Sequence, residues 1–200
     1  MRSSSINIQL ASRYSNLMMP LEGIRVLDLS RILAGPHAAQ SLSDLGADVI
    51  KVEAPWGDDS RTWGPPFQQG FDGVEVASYF LSCNRGKKIV FANLKNERER
   101  VRSLMDTVDV VIENFKPGAF DRLLGPVKPD LIVCSISGYG QEGPRRDEPA
   151  FDLTMQARSG IMSVTGEEDG PPAKVGVAWI DVMTGMNAVS SILALSLIHI

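Results

Sequence analysis

Histidine and cysteine are scarce in this chain, with two of each among 200 residues. Neither His37 nor His199 belongs to a readable Ser–His–Asp set, so a hydrolase triad has no support. Cys83 and Cys134 form no CxxC motif and read as two reduced, partly buried thiols in a cytoplasmic protein. Nothing clusters His, Cys and carboxylates at ligand spacing, so no metal site is expected. Positive charge is not in excess. Lys and Arg number 20 against 24 Asp and Glu, a net charge of -4, which argues against a nucleic-acid partner. No apolar stretch reaches the roughly 18 residues of a membrane span, so no membrane partner is expected. The first βα turn lacks GxGxxG, the glycines that let a backbone approach a pyrophosphate, which argues against a nicotinamide cofactor.

What is present is an ordinary soluble balance, 44% hydrophobic and 22% charged, with length enough for one domain and a sizeable core. GIRVLDLS over 23–30 reads as a buried strand. Pro36 suits the first turn of the next helix, and Gly46 suits its C-cap. DVIKVE over 48–53 is a second strand, completing a right-handed parallel crossover. Residues 54–73 form a long loop rich in Gly, Pro and charge, of a kind that is often functional. A short helix is expected over 74–84, a strand over 88–94, and an amphipathic helix over 96–108 with Val101, Leu104, Met105 and Val108 inward. A strand over 109–115, a short helix over 117–125 and a strand over 130–140 follow. This order predicts an α/β fold, a Rossmann-like and mainly parallel sheet flanked by helices. In such sheets ligands collect at the carboxyl ends of strands, where Leu33, Ala34, Asn114, Phe115, Ser137, Gly138 and Tyr139 fall.

The two ends read differently from the middle. Residues 1–18 hold Arg2, Arg13, several serines and no acid, faintly like a transit peptide but without its amphipathic pattern. A true start at Met18 or Met19 fits better. At the other end LSLIHI, over 195–200, stops inside an apolar helical pattern, and one frame of a common sequencing-library adapter encodes the same six residues. The expected layout is a poorly defined extension over 1–18, a truncated α/β domain over 19–194, and an artefact over 195–200.

One carboxylate stands out. Asp181, in GPPAKVGVAWIDVMTG over 170–185, follows Val177, Ala178, Trp179 and Ile180 and precedes Val182 and Met183. An acid in such a setting caps a helix, pairs with a cation or does chemistry. It opens DVMTGMNAVSSILAL, whose apolar spacing is helical, so an N-cap role fits.

Four segments, in unbroken order over 19–195, carry a resemblance. They are PLEGIRVLDLSRILAGP with DLGADVIKVE; DDSRTWGPPF; NRGKKIVFANLK with VVIENFKPGAFDRL; and SISGYGQEGP with FDLTMQARSGIMSVTGEEDGPPAKVGVAWIDVMTG. Together they resemble the class III CoA-transferases, the family of formyl-CoA transferase and carnitine CoA-transferase. The resemblance implies the N-terminal, CoA-binding half of a two-domain, interlocked-homodimer fold. It implies acyl-CoA as substrate and no permanently bound cofactor. It also implies that Asp181 is the nucleophile, a role that does not exclude capping. A carboxylate is a weak nucleophile, and covalent catalysis splits one hard transfer into easier steps. The apolar neighbours of Asp181 would help exclude water and would raise its pKa.

By position, the resemblance places Leu33 and Ala34 at the adenine end of CoA, and Lys95 near a phosphate. Asn114, Phe115, Gly138 and Tyr139 are further contacts, and the Arg122 guanidinium suits the 3′-phosphate or pyrophosphate. Leu33 and Phe115 also fit as core, and Arg122 as an exposed helix charge. Ala54 and Ser137 depart from formyl-CoA transferase, which has arginine and lysine there. Arg61 either meets a substrate carboxylate or CoA phosphate, or pairs with Asp58 or Asp59. DDSRTWGPPF and GYGQEGP most resemble the dicarboxylate branch, such as the succinyl-CoA:glutarate enzymes, so succinyl-CoA is the expected donor. The related 2-methylacyl-CoA racemases carry a histidine in a GHD motif; here the motif is AFD, and Phe151 cannot shuttle a proton. A non-catalytic nucleotide-binding domain is the remaining alternative, and it would have no need of Asp181.

Overall fold

Short strands, most of those in the main sheet carrying two or more β-branched residues, position everything else. In the computed structural model, which describes residues 19–70 and 73–199, they are β1 (Arg25–Asp28), β2 (Asp48–Glu53), β3 (Phe67–Gln69), β4 (Glu75–Ala77), β5 (Lys88–Phe91), β6 (Val110–Glu113) and β7 (Ile132–Ser135). The extension expected over 1–18 lies outside the described residues. Five strands make one sheet in the order β5-β2-β1-β6-β7, and every pairing in it is parallel. Val26 on β1 stands opposite Val49 on β2 and Val110 on β6.

Successive residues of a strand point to opposite faces, and here each face has its own layer of helices. Val26 packs with Ala38 and Leu42 of α1 (Ala34–Asp44) and with Ala188 and Ile192 of α6 (Trp179–His199). Leu27 packs with Val101 and Met105 of α3 (Arg98–Met105) and with Phe120 and Leu124 of α4 (Ala119–Leu124). Burying each such side chain contributes about 1.5–3 kcal/mol, so the doubly wound arrangement follows from the alternation.

α1 starts at Ala34, which puts Pro36 inside the first turn, where its missing N–H costs nothing. Gly46 follows the C-cap Leu45 at φ 104°, the conformation that ends a helix there. The stretch read as loop and then helix differs. Within it lie a short 3-10 turn over Asp59–Thr62 and an antiparallel hairpin of β3 and β4, with Phe67 opposite Ala77, and the α-helix is confined to Ser78–Ser82 (α2). Val74 and Val76 are β-branched and flank Glu75, which favours a strand over a helix. A further helix, α5 (Asp152–Arg158), was not foreseen.

The expectation that no apolar stretch spans a membrane's width needs correction. The helical segment Trp179–Ile198 is 20 residues long with a mean hydropathy of 1.4, enough to cross a membrane by length and composition. Serines, Asn187 and Gly185 break up the run in sequence, but Asp181 is its single charge. This helix packs on α1 and β7 through Ala188 and Ile192, while Met186, Leu197 and Ile198 are exposed.

Candidate active site

The strand order reverses between β1 and β6, so the loops that follow them diverge and open a crevice at the carboxyl edge of the sheet. The cleft there has a volume of about 890 Å³. After β1 the chain makes a tight turn in which Ile32 sits at φ 72°, a rare conformation for a β-branched residue. The Asn114 side chain, just past β6, locks this turn. Its Oδ1 accepts from the Arg31 N–H at 3.0 Å and its Nδ2 donates to the Arg31 carbonyl at 2.9 Å. Asn114 thus bridges the two loops, and residues 31–34 form one wall of the cleft.

Asp181 faces this wall from the start of α6. The helix begins at Trp179, so Asp181 lies in its first turn rather than at the cap expected from sequence. The capping group comes from elsewhere. Asp152 Oδ1 accepts from the Ile180 N–H at 2.8 Å and from the Asp181 N–H at 3.2 Å. Its other oxygen accepts from Gln156 Nε2 at 2.6 Å. Gln156, only 1% exposed, also accepts from the Val175 N–H at 2.8 Å and donates to the Val177 carbonyl at 3.2 Å. Asp152 and Gln156 are four apart on α5, so one helix face fixes the whole approach to Asp181.

Electrostatics mark Asp181 as unusual. Burial, with the Asp152 charge beside it, pushes its carboxyl up to about 6 from 3.8. The Tyr79 phenol, which lines the same cleft, is pushed up to about 12 by burial and then by the negative charge of Asp181. Tyr79 packs edge-on against Trp63, with ring centroids 5.5 Å apart, so the long loop after β2 supplies an aromatic wall. Phe151 also lines the cleft and is 70% exposed.

Of the residues singled out in sequence, Leu33, Ala34, Asn114, Phe115, Gly138 and Asp181 line this one cleft. Ser137 lines it too, with a buried Oγ that has no protein partner. Lys95, Arg122 and Tyr139 stand outside the lining, and the first two are exposed. The Tyr139 ring lies near the guanidinium groups of Arg158 at 5.6 Å and Arg145 at 6.0 Å. Arg61 is also outside the lining, and its partner is neither Asp58 nor Asp59. Its guanidinium forks onto Glu53 at 2.6 and 2.8 Å and lies 3.9 Å over the Phe80 ring. Asp152, Gln156, Trp63 and Tyr79 were missed as site residues. The i, i+4 spacing of Asp152 and Gln156 was the available signal. Among the described residues no group of three His, Cys, Asp or Glu side chains could hold a metal ion.

Comparison with known proteins agrees with this architecture. A protein of Agrobacterium fabrum named succinate–glutarate CoA-transferase is 50% identical over 194 residues, which cover 92% of this chain and 48% of that protein. The mouse succinyl-CoA:glutarate CoA-transferase is 46% identical over 88% of this chain and 42% of its own length. The crystal structure of a CAIB/BAIF family protein from Brucella suis superposes with a TM-score of 0.87 at 48% identity, covering 90% of this chain and 50% of that one. The chain therefore spans about half the length of the relatives it matches. Residues 21–198 match CoA-transferase family III, and the chain belongs to that family.

Proposed function

We propose that the whole protein transfers CoA between carboxylic acids through a covalent intermediate on Asp181, with succinyl-CoA as donor and a small dicarboxylate as acceptor. The observation that carries this reading is a half-buried carboxylate, held near pKa 6, on the cleft at the strand-order reversal. The names of the relatives, which pair succinate or succinyl-CoA with glutarate, support the choice of donor and acceptor class.

The chemistry balances without an outside acid or reductant. The Asp181 carboxylate attacks the thioester carbonyl, the C–S bond breaks, and CoA leaves as thiolate from a mixed anhydride. The thiolate attacks the aspartyl carbonyl and expels the donor carboxylate, leaving an aspartyl-CoA thioester. The acceptor carboxylate attacks that carbonyl and releases CoA thiolate again. The thiolate then attacks the acceptor carbonyl of the new anhydride, giving the product ester and free Asp181. Both anhydrides and the thioester hydrolyse in water, so the aromatic wall of Trp63 and Tyr79 protects them. A racemase reading lacks its base, because Phe151 has no proton to exchange. We further propose that the whole protein is an interlocked homodimer in the cytoplasm.

The test is to incubate the whole protein with succinyl-CoA and a panel of dicarboxylic acids, and to identify new CoA esters by mass spectrometry. A new ester is expected, and Asp181→Ala is expected to abolish it. Undiminished ester formation by Asp181→Ala overturns the covalent route. Exchange of the α-proton of a 2-methylacyl-CoA in deuterated water, with no new ester, overturns transfer itself.

A further inference from the structure

Behind the cleft wall lies a cluster of buried charges that the transfer steps do not use. Lys51 and Lys87 have no side-chain exposure, nor does Asp28, and Asp58 is 2% exposed. Lys51 Nζ donates to the Ser30 carbonyl at 2.8 Å and pairs with Asp58 at 3.1 Å. Lys87 Nζ donates to the Pro36 carbonyl, to Asp28 and to Asn84, each at 2.8 Å. The two lysines therefore grip carbonyls on either side of the 31–34 wall, Ser30 before it and Pro36 in the first turn of α1. Between them the Ile32 N–H donates to both Asp58 oxygens, at 3.2 and 3.4 Å. The Ile32 carbonyl accepts from the Cys83 thiol at 3.4 Å.

This arrangement addresses one local difficulty. Ile32 sits at φ 72°, and a left-handed β-branched residue persists only where its surroundings over-determine it. Buried ion pairs are a poor route to stability, because apolar replacements of equal volume do as well or better. Asp58 also accepts from the Ser60 N–H at 3.0 Å and the Ser60 hydroxyl at 2.7 Å, which fixes its own place; a cluster that spends several of its remaining donors and acceptors on the backbone of one cleft-lining turn serves shape instead. We propose that Asp58 is a positioning residue for CoA binding: paired with Lys51, it holds Ile32 left-handed and keeps the 31–34 wall in its ligand-ready form. The inference rests on the reading of the cleft as the CoA site.

The test uses the whole protein and three measurements: Kd for CoA by calorimetry, the kinetic constants, and the thermal midpoint. Lys51→Met with Asp58→Ala removes both charges together, and with them the acceptor of the Ile32 N–H. Its Kd for CoA and KM for succinyl-CoA are expected to weaken about five- to fifty-fold. kcat and the KM for the acceptor acid stay within about twofold. Adding Ile32→Gly recovers most of the loss, because glycine takes the left-handed conformation unaided. Lys51→Met with Asp58→Asn preserves volume and keeps one acceptor oxygen for the Ile32 N–H; it shows a smaller loss with the same recovery, and it serves if the alanine variant does not fold. An unchanged Kd in the charge variants overturns the inference, whatever the melting shift. So does a loss that Ile32→Gly fails to recover. If the unsubstituted protein binds no CoA, the reading of the cleft falls and the inference with it, an outcome distinct from the other two.

Discussion

The Asp152 carboxylate caps the helix that carries Asp181, and one of its oxygens accepts the N–H of Asp181 itself at 3.2 Å. The same carboxylate does two things to its neighbour. It fixes where the helix begins, and so where the Asp181 side chain stands over the cleft. It also places a negative charge beside a carboxyl already raised by burial, holding that group near 6. Position and part of the raised pKa of the proposed nucleophile thus share one source, with burial the larger cause of the shift.

The first prediction separates the two effects. Asp181 must be ionised to attack, so kcat/KM for the donor should fall as pH drops through about 6. Asp152→Asn keeps an oxygen to cap the helix but removes the charge. Ionising Asp181 then costs less, and the acid limb should move to lower pH with the plateau retained. Asp152→Ala should lose the cap as well, at about 1 kcal/mol of stability. An acid limb that stays put in Asp152→Asn disproves the electrostatic coupling.

The raised acid also makes a stability statement. A carboxyl whose folded pKa exceeds its unfolded value of 3.8 contributes stability that is complete below that value and lost as pH rises through about 6. Asp181→Asn should therefore stabilise the protein at pH 7 to 8, by on the order of 1 kcal/mol after allowing for solvent that reaches the half-buried group. At pH 4 the gain should vanish. Thermal melts at the two pH values check it, and an equal gain at both would show that charge is not the cause.

Much of this was legible in the sequence where the rule is local. β2 occupies 48–53 as expected, and the alternation of strands and helices indicates the parallel sheet. Contacts between distant segments were not legible. Asp181 was expected to cap its own helix because the actual cap lies 29 residues upstream. Arg61 was read either as a ligand for a substrate carboxylate or CoA phosphate or as a partner of Asp58 or Asp59, yet Asp58 turns inward to Lys51 and Asp59 turns to Arg31 at 3.2 Å, which leaves Glu53 for Arg61. Leu33, Ala34, Asn114, Phe115, Ser137 and Gly138, which do line the cleft, fall at strand ends, where the topology alone predicts a ligand, whereas Asp181 comes from the first turn of α6.

Gln156 joins α5 to the segment before Asp181 through two hydrogen bonds while nearly fully buried. Gln156→Leu fills the space but leaves the Val175 N–H and Val177 carbonyl without their partner. The expected cost is about 2–3 kcal/mol in urea unfolding. The kcat should fall with it, because the segment sets the start of α6. A stability change below about 0.5 kcal/mol would show that water replaces the amide without loss.

Gly185 lies one helical turn beyond Asp181, where α6 crosses the first turn of α1. A Cβ there would meet the Ala34 carbonyl at 2.8 Å and His37 Nδ1 at 2.9 Å. Glycine to alanine inside a helix ordinarily gains about 1 kcal/mol. Here the obstacle is backbone, which cannot swing aside as a side chain does, so α6 must move off α1. Gly185→Ala should lose about 1–3 kcal/mol instead. The displaced helix carries Asp181 with it, and a shift of about 1 Å at a reacting group costs up to about 100-fold in rate. Urea unfolding and kcat for the donor together check the relationship: both should fall. If alanine stabilises the protein and leaves kcat intact, the close approach of the two helices does not position Asp181.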